Sequence, residues 1–109
     1  AGRQMTKNYE FFGAPHVAII TTPVDLGAYG VLDCGAFVTA FTLAAAAVGV
    51  SSIPQAAIAG RAPIVREVLN IEDDRDVLCA ISFGFADTDN SVNSFRTQRA
   101  DLIEFVEWI

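Results

Sequence analysis

Arg96 and Arg99 stand three residues apart in the segment Asn93-Ser94-Phe95-Arg96-Thr97-Gln98-Arg99, behind a loop of Asp87, Thr88, Asp89 and Asn90. The chain holds 7 basic residues against 13 acidic ones, so this pair is a local exception. Guanidinium groups offer a planar fork of donors that suits a phosphate or a carboxylate. Two solvated surface arginines would look the same in isolation, so the surrounding chain must decide. Other reactive groups lead nowhere. Cys34 and Cys79 lack metal-ligand spacing, and His16 is the sole histidine, which argues against zinc. A Cys–His nucleophile pair has no supporting motif. The run Glu72-Asp73-Asp74-Arg75-Asp76 lacks the glycine and spacing of a calcium loop and reads as a solvated turn. Glycine-rich phosphate loops and the Gly-x-Ser-x-Gly elbow are missing from the sequence. Any chemistry must therefore come from a cofactor rather than from side-chain acid–base catalysis.

A length of 109 residues sets a limit of one domain. The composition is 52% hydrophobic and 18% charged, against roughly a quarter charged in average domains. That surplus predicts a large apolar face covered by another chain. The net charge of −6 argues against nucleic-acid binding and against anionic membrane surfaces. No charge occurs from Cys34 to Gly60, yet this run is rich in Ala, Gly, Ser and Thr and is broken by Pro54. It lacks the leucine density and basic flanks of a transmembrane helix, so it reads as soluble core. No signal peptide is expected, and the initial Ala fits a processed or trimmed start. Two free thiols inside apolar runs suit a reducing, cytoplasmic compartment.

The elements that position these residues follow from hydrophobic periodicity. Residues 1–15 read as polar and irregular, closing on a Gly13-Ala14-Pro15 turn. His16 to Thr22 is β-branched and apolar on both faces, which predicts a strand in the middle of a sheet. Asp25 is a candidate helix cap. Ala28 to Val48 then reads as a helix, with Leu32, Ala36, Phe37, Ala40, Phe41, Leu43, Ala44, Ala47 and Val48 at three- and four-residue steps. Its other side is small rather than charged, so the helix should be buried all round and form the centre of a dimer interface. Gly49 should end it. Val50 to Ile53 is extended and leads into the loop Pro54-Gln55-Ala56-Ala57. A second helix opens near Pro63 and runs through Val65, Val68 and Leu69. Val77 to Phe85 is a second strand. The apolar tail from Leu102 to Ile109 should dock on something.

Five stretches taken in order resemble the C-terminal half of the flavin-dependent nitroreductase family. They are Asn8-Tyr9-Glu10-Phe11-Phe12-Gly13-Ala14-Pro15, Leu32-Asp33-Cys34-Gly35, Ile53-Pro54-Gln55-Ala56-Ala57, Ile64-Val65-Arg66-Glu67-Val68-Leu69 and Val92-Asn93-Ser94-Phe95-Arg96-Thr97-Gln98-Arg99. The resemblance implies an α+β fold, with a central, mostly antiparallel sheet, flanking helices and a long dimer-interface helix. Residues 1–109 would form about half of that fold, its C-terminal portion. It further implies FMN at the interface of two protomers, and electron transfer from NADH or NADPH to nitroaromatics, quinones or related acceptors. By the same resemblance, Pro54, Gln55, Ala56 and Ala57 lie against the flavin ring, with backbone N–H groups at its N5/O4 edge. Arg96 and Arg99 match positions that bind the FMN phosphate, and the apolar tail matches an extension that embraces the partner. The family's N-terminal half, with its arginine-rich phosphate motif, has no counterpart in this sequence. Asp101 stands where many relatives carry proline.

Three readings remain open. The chain is part of an FMN-dependent oxidoreductase, working as a homodimer or with a chain that supplies the N-terminal half. Alternatively it is a non-enzymatic structural or regulatory half-domain that dimerises through the Ala28–Val48 helix. A third reading is an independent small domain that binds an acidic metabolite.

Overall fold

The computed structural model describes residues 2–109. A three-stranded antiparallel sheet lies at its centre. β3 (Arg75–Gly84) is the middle strand, flanked by β1 (His16–Pro23) and β2 (Ser51–Gln55). The β1 ladder runs from His16 opposite Phe83 to Pro23 opposite Arg75, with a register shift between Ile20 and Thr21. The β2 ladder runs from Ser51 opposite Gly84 to Gln55 opposite Ala80. β3 contributes buried Val77, Ala80, Ile81 and Ser82, whereas β1 contributes Ile20 and Thr22. The expectation that His16–Thr22 sits mid-sheet is therefore corrected: within this chain it is an edge strand. An apolar pattern on both faces reports that both faces are covered, and it carries no information about which strands lie alongside. β2 is also longer than expected and takes in Pro54 and Gln55. An edge strand tolerates proline because the missing N–H can face away from the neighbouring strand.

One face of the sheet is covered by α2 (Gly27–Ala47). Phe41 packs edge-on against Phe83 with ring centroids 5.3 Å apart, and Phe83 stacks on His16 at 5.4 Å. Gly30 is buried and Cys34, Val38, Phe41, Thr42 and Ala45 are half-buried, whereas the remaining positions of the helix are exposed. Tyr29, Leu32 and Leu43 lie exposed on the other side. Most of the periodic set expected to define the buried side thus faces outward, and the helix is not buried all round in this chain. A helix without a polar face gives no sequence signal for which side meets its own sheet. Asp25 does not cap it. The residue lies in a 3-10 turn (Val24–Leu26), and Leu26 occupies the N-cap without a side-chain bond. Gly49 does close the helix, at φ 78°, with its N–H donating to the Ala46 carbonyl at 3.1 Å. The stretch Val24–Ala47 is long and apolar enough to cross a membrane by length and composition. Its contacts with Phe83, Thr22 and Thr21 make it the layer over the sheet.

On the opposite face stand a 3-10 turn (Ala56–Arg61), α3 (Ala62–Leu69) and the N-terminal segment. That segment is not irregular as expected. It forms α1 (Gly2–Thr6) and a 3-10 stretch (Lys7–Gly13). Phe11, Phe12 and Gly13 are successively left-handed, at φ 51°, 55° and 73°, and swing the chain into β1. For the two phenylalanines this conformation costs roughly 1–2 kcal/mol each, which the surrounding contacts must offset. A cleft of about 550 Å³ opens here, lined by Phe11, Val17, Ile19, Ile58, Val65 and Leu69 among others. The last residues form only a short 3-10 turn (Leu102–Glu104), and Trp108 is 80% exposed, so the apolar tail does not dock on this chain. The radius of gyration of 16.0 Å exceeds the roughly 13 Å of a closed domain of this length.

A Cβ at Gly30 would overlap Thr22 Oγ1 and fall 2.8 Å from Leu26 Cβ, whereas one at Gly35 meets nothing within 4 Å. Gly30→Ala should therefore destabilise the fold by about 1–3 kcal/mol through overpacking. Gly35→Ala should stabilise it by up to about 1 kcal/mol through helix propensity. Thermal denaturation of the two variants checks the contrast.

Candidate functional site

Pro54 and Gln55 end β2 rather than forming a loop, and the chain turns at Ala56 into the Ala56–Arg61 3-10 turn. Pro54 has no N–H to give the ladder, so its position pairs with Ile81 without that bond, and Gln55 pairs opposite Ala80. Ala56 and Ala57 are the first two residues of the turn. Their N–H groups have no acceptor within it, because a helical turn leaves its first donors unsatisfied. Ala56 is exposed and Ala57 half-buried, and both carry only a methyl group. On either side of them Gln55 and Ile58 are buried. The segment therefore presents backbone donors with little side-chain bulk, held at both ends.

Gln55 has a second role that sequence reasoning did not reveal. Its Oε1 accepts from Ser82 Oγ, while its Nε2 donates to the Asn8 carbonyl at 2.9 Å and approaches Asn8 Oδ1 at 3.4 Å. Ser82 and Asn8 lie 27 and 47 residues from Gln55, so no local pattern could pair them. A lone serine within the apolar run from Val77 to Phe85 was the one available signal.

Arg96 and Arg99 lie in an exposed segment without regular structure. Arg96 Nη1 donates to the carbonyls of Asn93 at 3.0 Å and Phe95 at 2.9 Å. Arg99 Nη1 donates to Thr97 Oγ1 and to the Gln98 carbonyl at 3.3 Å. These bonds fold each guanidinium back on its own loop. Among the described residues the ion pair formed is between Arg66 and Asp76, at 3.9 Å, so no carboxylate neutralises either loop arginine. The loop itself is organised by Asn90, whose side chain caps the turn at Val92, and by Asn93, which donates to the Asp87 carbonyl at 2.7 Å. Among the described residues no hydrogen bond, ring contact or ion pair joins this loop to Pro54–Ala57. Pro54–Ala57 thus leaves the sheet edge, and the arginine segment lies exposed without such a bond to it.

With this geometry in place, comparison with known proteins is decisive about ancestry. Residues 2–85 match the Nitroreductase family. The chain is 36% identical over 92 residues to a 4-nitrobenzoate reductase of Pseudomonas putida, covering 84% of this chain and 40% of that protein. It is 40% identical over 99 residues to nitroreductase NfnB of Mycolicibacterium smegmatis, covering 91% and 42%. The solved FMN and NADPH-dependent nitroreductase NfnB of sphigopyxis sp. strain HMH superposes with a TM-score of 0.94 at 29% identity, over 99% of this chain and 49% of that one. The chain belongs to the nitroreductase family. Its α+β fold with an antiparallel sheet is about half of the nitroreductase fold, as the resemblance implied, and it spans less than half the length of those curated relatives.

Cys34 and Cys79 are both free and half-buried rather than fully buried. Cys34 Sγ lies 3.8 Å from the Thr21 carbonyl, and Cys79 sits opposite Ile20 on β3. Burial, and secondarily the neighbouring Cys34, pushes the Cys79 thiol above its ordinary value of 9.0. The folded state therefore holds this proton more firmly than the unfolded chain. The resulting stability is complete below the ordinary value and is lost as the pH climbs through the raised one. Denaturant midpoints of wild type and Cys79→Ser, followed from pH 8 to 10, should converge as the pH rises. Alkylation of Cys79 at pH 8 should also be slower than that of a free thiol.

Proposed function

We propose that residues 1–109 are the C-terminal portion of an FMN-dependent oxidoreductase that passes electrons from NADH or NADPH to nitroaromatics, quinones or similar acceptors. The observation that carries this reading is the Ala56–Ala57 pair, two backbone donors without acceptors in their own turn and without bulky side chains. Such a surface fits the edge of a planar, acceptor-rich ring, where fixed N–H groups stabilise developing negative charge. FMN, when bound, supplies the hydride-carrying centre. This chain's part is to hold and orient it: Pro54 and Gln55 set the strand end, Ala56 and Ala57 present their N–H groups, and Arg96 and Arg99 take the phosphate. The arginines suit that role because no carboxylate competes for them among the described residues. No side-chain acid or base of this chain is required.

Two further surfaces support the reading. The cleft between β1 and α3 is apolar and open, and we assign it to the remainder of the nitroreductase domain, whether attached or supplied as another chain. The outward stripe of α2, with Tyr29, Leu32 and Leu43, is assigned to a second copy in a homodimer. Two free thiols accord with a cytoplasmic setting. A second reading, a structural or regulatory half-domain that dimerises through the same helix, is favoured by the separation of the arginine loop from Ala56–Ala57.

The visible spectrum after exhaustive buffer exchange and FMN addition separates the two. A bound flavin band supports the oxidoreductase, and refusal of FMN supports the half-domain. In the flavin-binding case Arg99→Ala should weaken FMN by about 10- to 100-fold, the equivalent of losing one or two charge-assisted hydrogen bonds. Leu32→Glu combined with Leu43→Glu should convert a dimer into a monomer in sedimentation velocity at micromolar concentration. A wild-type monomer under those conditions would remove the homodimer from the proposal.

A further inference from the structure

Ala56 and Ala57 have no side chains capable of fixing their own backbone, so whatever positions their N–H groups must act from either side. Ile58 does so by burial on one side. On the other side stands Gln55, 2% exposed, with Ser82 1% exposed beneath it. Packing alone would be served as well by an apolar residue, which carries no hydrogen-bonding demand into the interior. An amide differs because it fixes direction. Both ends of the Gln55 amide are used: Oε1 accepts from Ser82 Oγ on β3, and Nε2 donates to the Asn8 carbonyl at 2.9 Å. The strand end is thereby fastened to β3 and to the Lys7–Gly13 3-10 stretch that leads into β1.

We propose that Ser82 and Asn8, acting through the Gln55 side chain, are positioning residues for the Ala56 and Ala57 N–H groups. The inference rests on the flavin-edge reading of that segment and adds the device that aims it. Ser82 donates to Gln55, Gln55 donates to Asn8, and the amide plane so fixed sets the direction in which the chain leaves β2. Pre-set donors of this kind are effective because they need no reorganisation when charge develops.

The test is Ser82→Ala, which removes the hydroxyl without adding volume. Hydrogen exchange in the purified protein should speed up about tenfold or more at Ile58, whose N–H closes the first bond of the Ala56–Arg61 turn back to Gln55 and so reports how firmly Ala56 and Ala57 are held, while Ala80 and Ile81 stay protected. FMN affinity should fall by a similar factor, and the midpoint potential of the bound flavin should move. Gln55→Met keeps the side-chain length and removes both amide groups without burying a charge, so it should give at least as large an effect in the same direction. If Ser82→Ala does not fold, Gln55→Met read the same way decides the matter. Unchanged exchange at Ile58, or a uniform rise across β3, overturns the proposal and leaves the network as ordinary core structure. A wild-type protein that takes up no FMN sinks the flavin-edge reading instead, and the exchange contrast then decides by itself whether the clamp fixes this turn.

Discussion

Because β3 hydrogen-bonds to β1 along one edge and to β2 along the other, the sheet against which the helices pack exists only through that strand. Phe83 gives α2 its aromatic seat, and Ser82 reaches the side chain that ends β2. Arg75, at the strand's other end, ties back to β1 by donating to Thr21 Oγ1 at 2.8 Å and to the Thr21 carbonyl at 3.2 Å. An antiparallel ladder satisfies the backbone groups of the central strand on both sides, so the strand can be buried without unpaired donors. The few fully buried apolar residues, Ile20, Ile58, Val77, Ala80 and Ile81, lie on it or against it.

That core is small for the apolar content of the chain. A buried Leu, Val or Ile contributes roughly 1.5–3 kcal/mol relative to an exposed one, so the large residues left in solvent represent substantial unused stabilisation. Most of them fall into three groups. One group lines the outer side of α2, a second lines the cleft under β1 and α3, and a third is the tail beyond Leu102. Contiguous apolar patches of this kind mark surfaces meant to be covered. Ala56–Ala57 follow directly on the sheet, whereas the segment of Arg96 and Arg99 is exposed and without regular structure.

The family match gives these surfaces a common frame. Curated relatives more than twice as long match it over 92 and 99 residues, and a solved relative superposes over nearly the entire chain. What this chain shares with the solved relative is its fold. Arg96 and Arg99 lie beyond the residues that match the family, although the structural superposition extends over them. The strand end and the loop thus depend on different kinds of stabilisation, one internal and one external.

Much was legible in the residues themselves. Both long strands, the long helix, its closure at Gly49 and the helix opened at Pro63 follow from periodicity and from the backbone preferences of Gly and Pro, which are local properties. The two candidate segments, Pro54–Ala57 and Arg96–Arg99, were located by ordered resemblance, and their chemistry is that of backbone amides and guanidinium groups. Tertiary structure alone decided the rest. It made β3 rather than β1 the central strand, because edge pairing leaves no trace in a strand apolar on both faces. It turned Gly30, Cys34 and Phe41 of α2 inward, because a helix apolar all round does not declare a side. It joined Gln55 to Ser82 and Asn8 across long separations, because a hydrogen bond between distant residues exists only once the chain between them has folded.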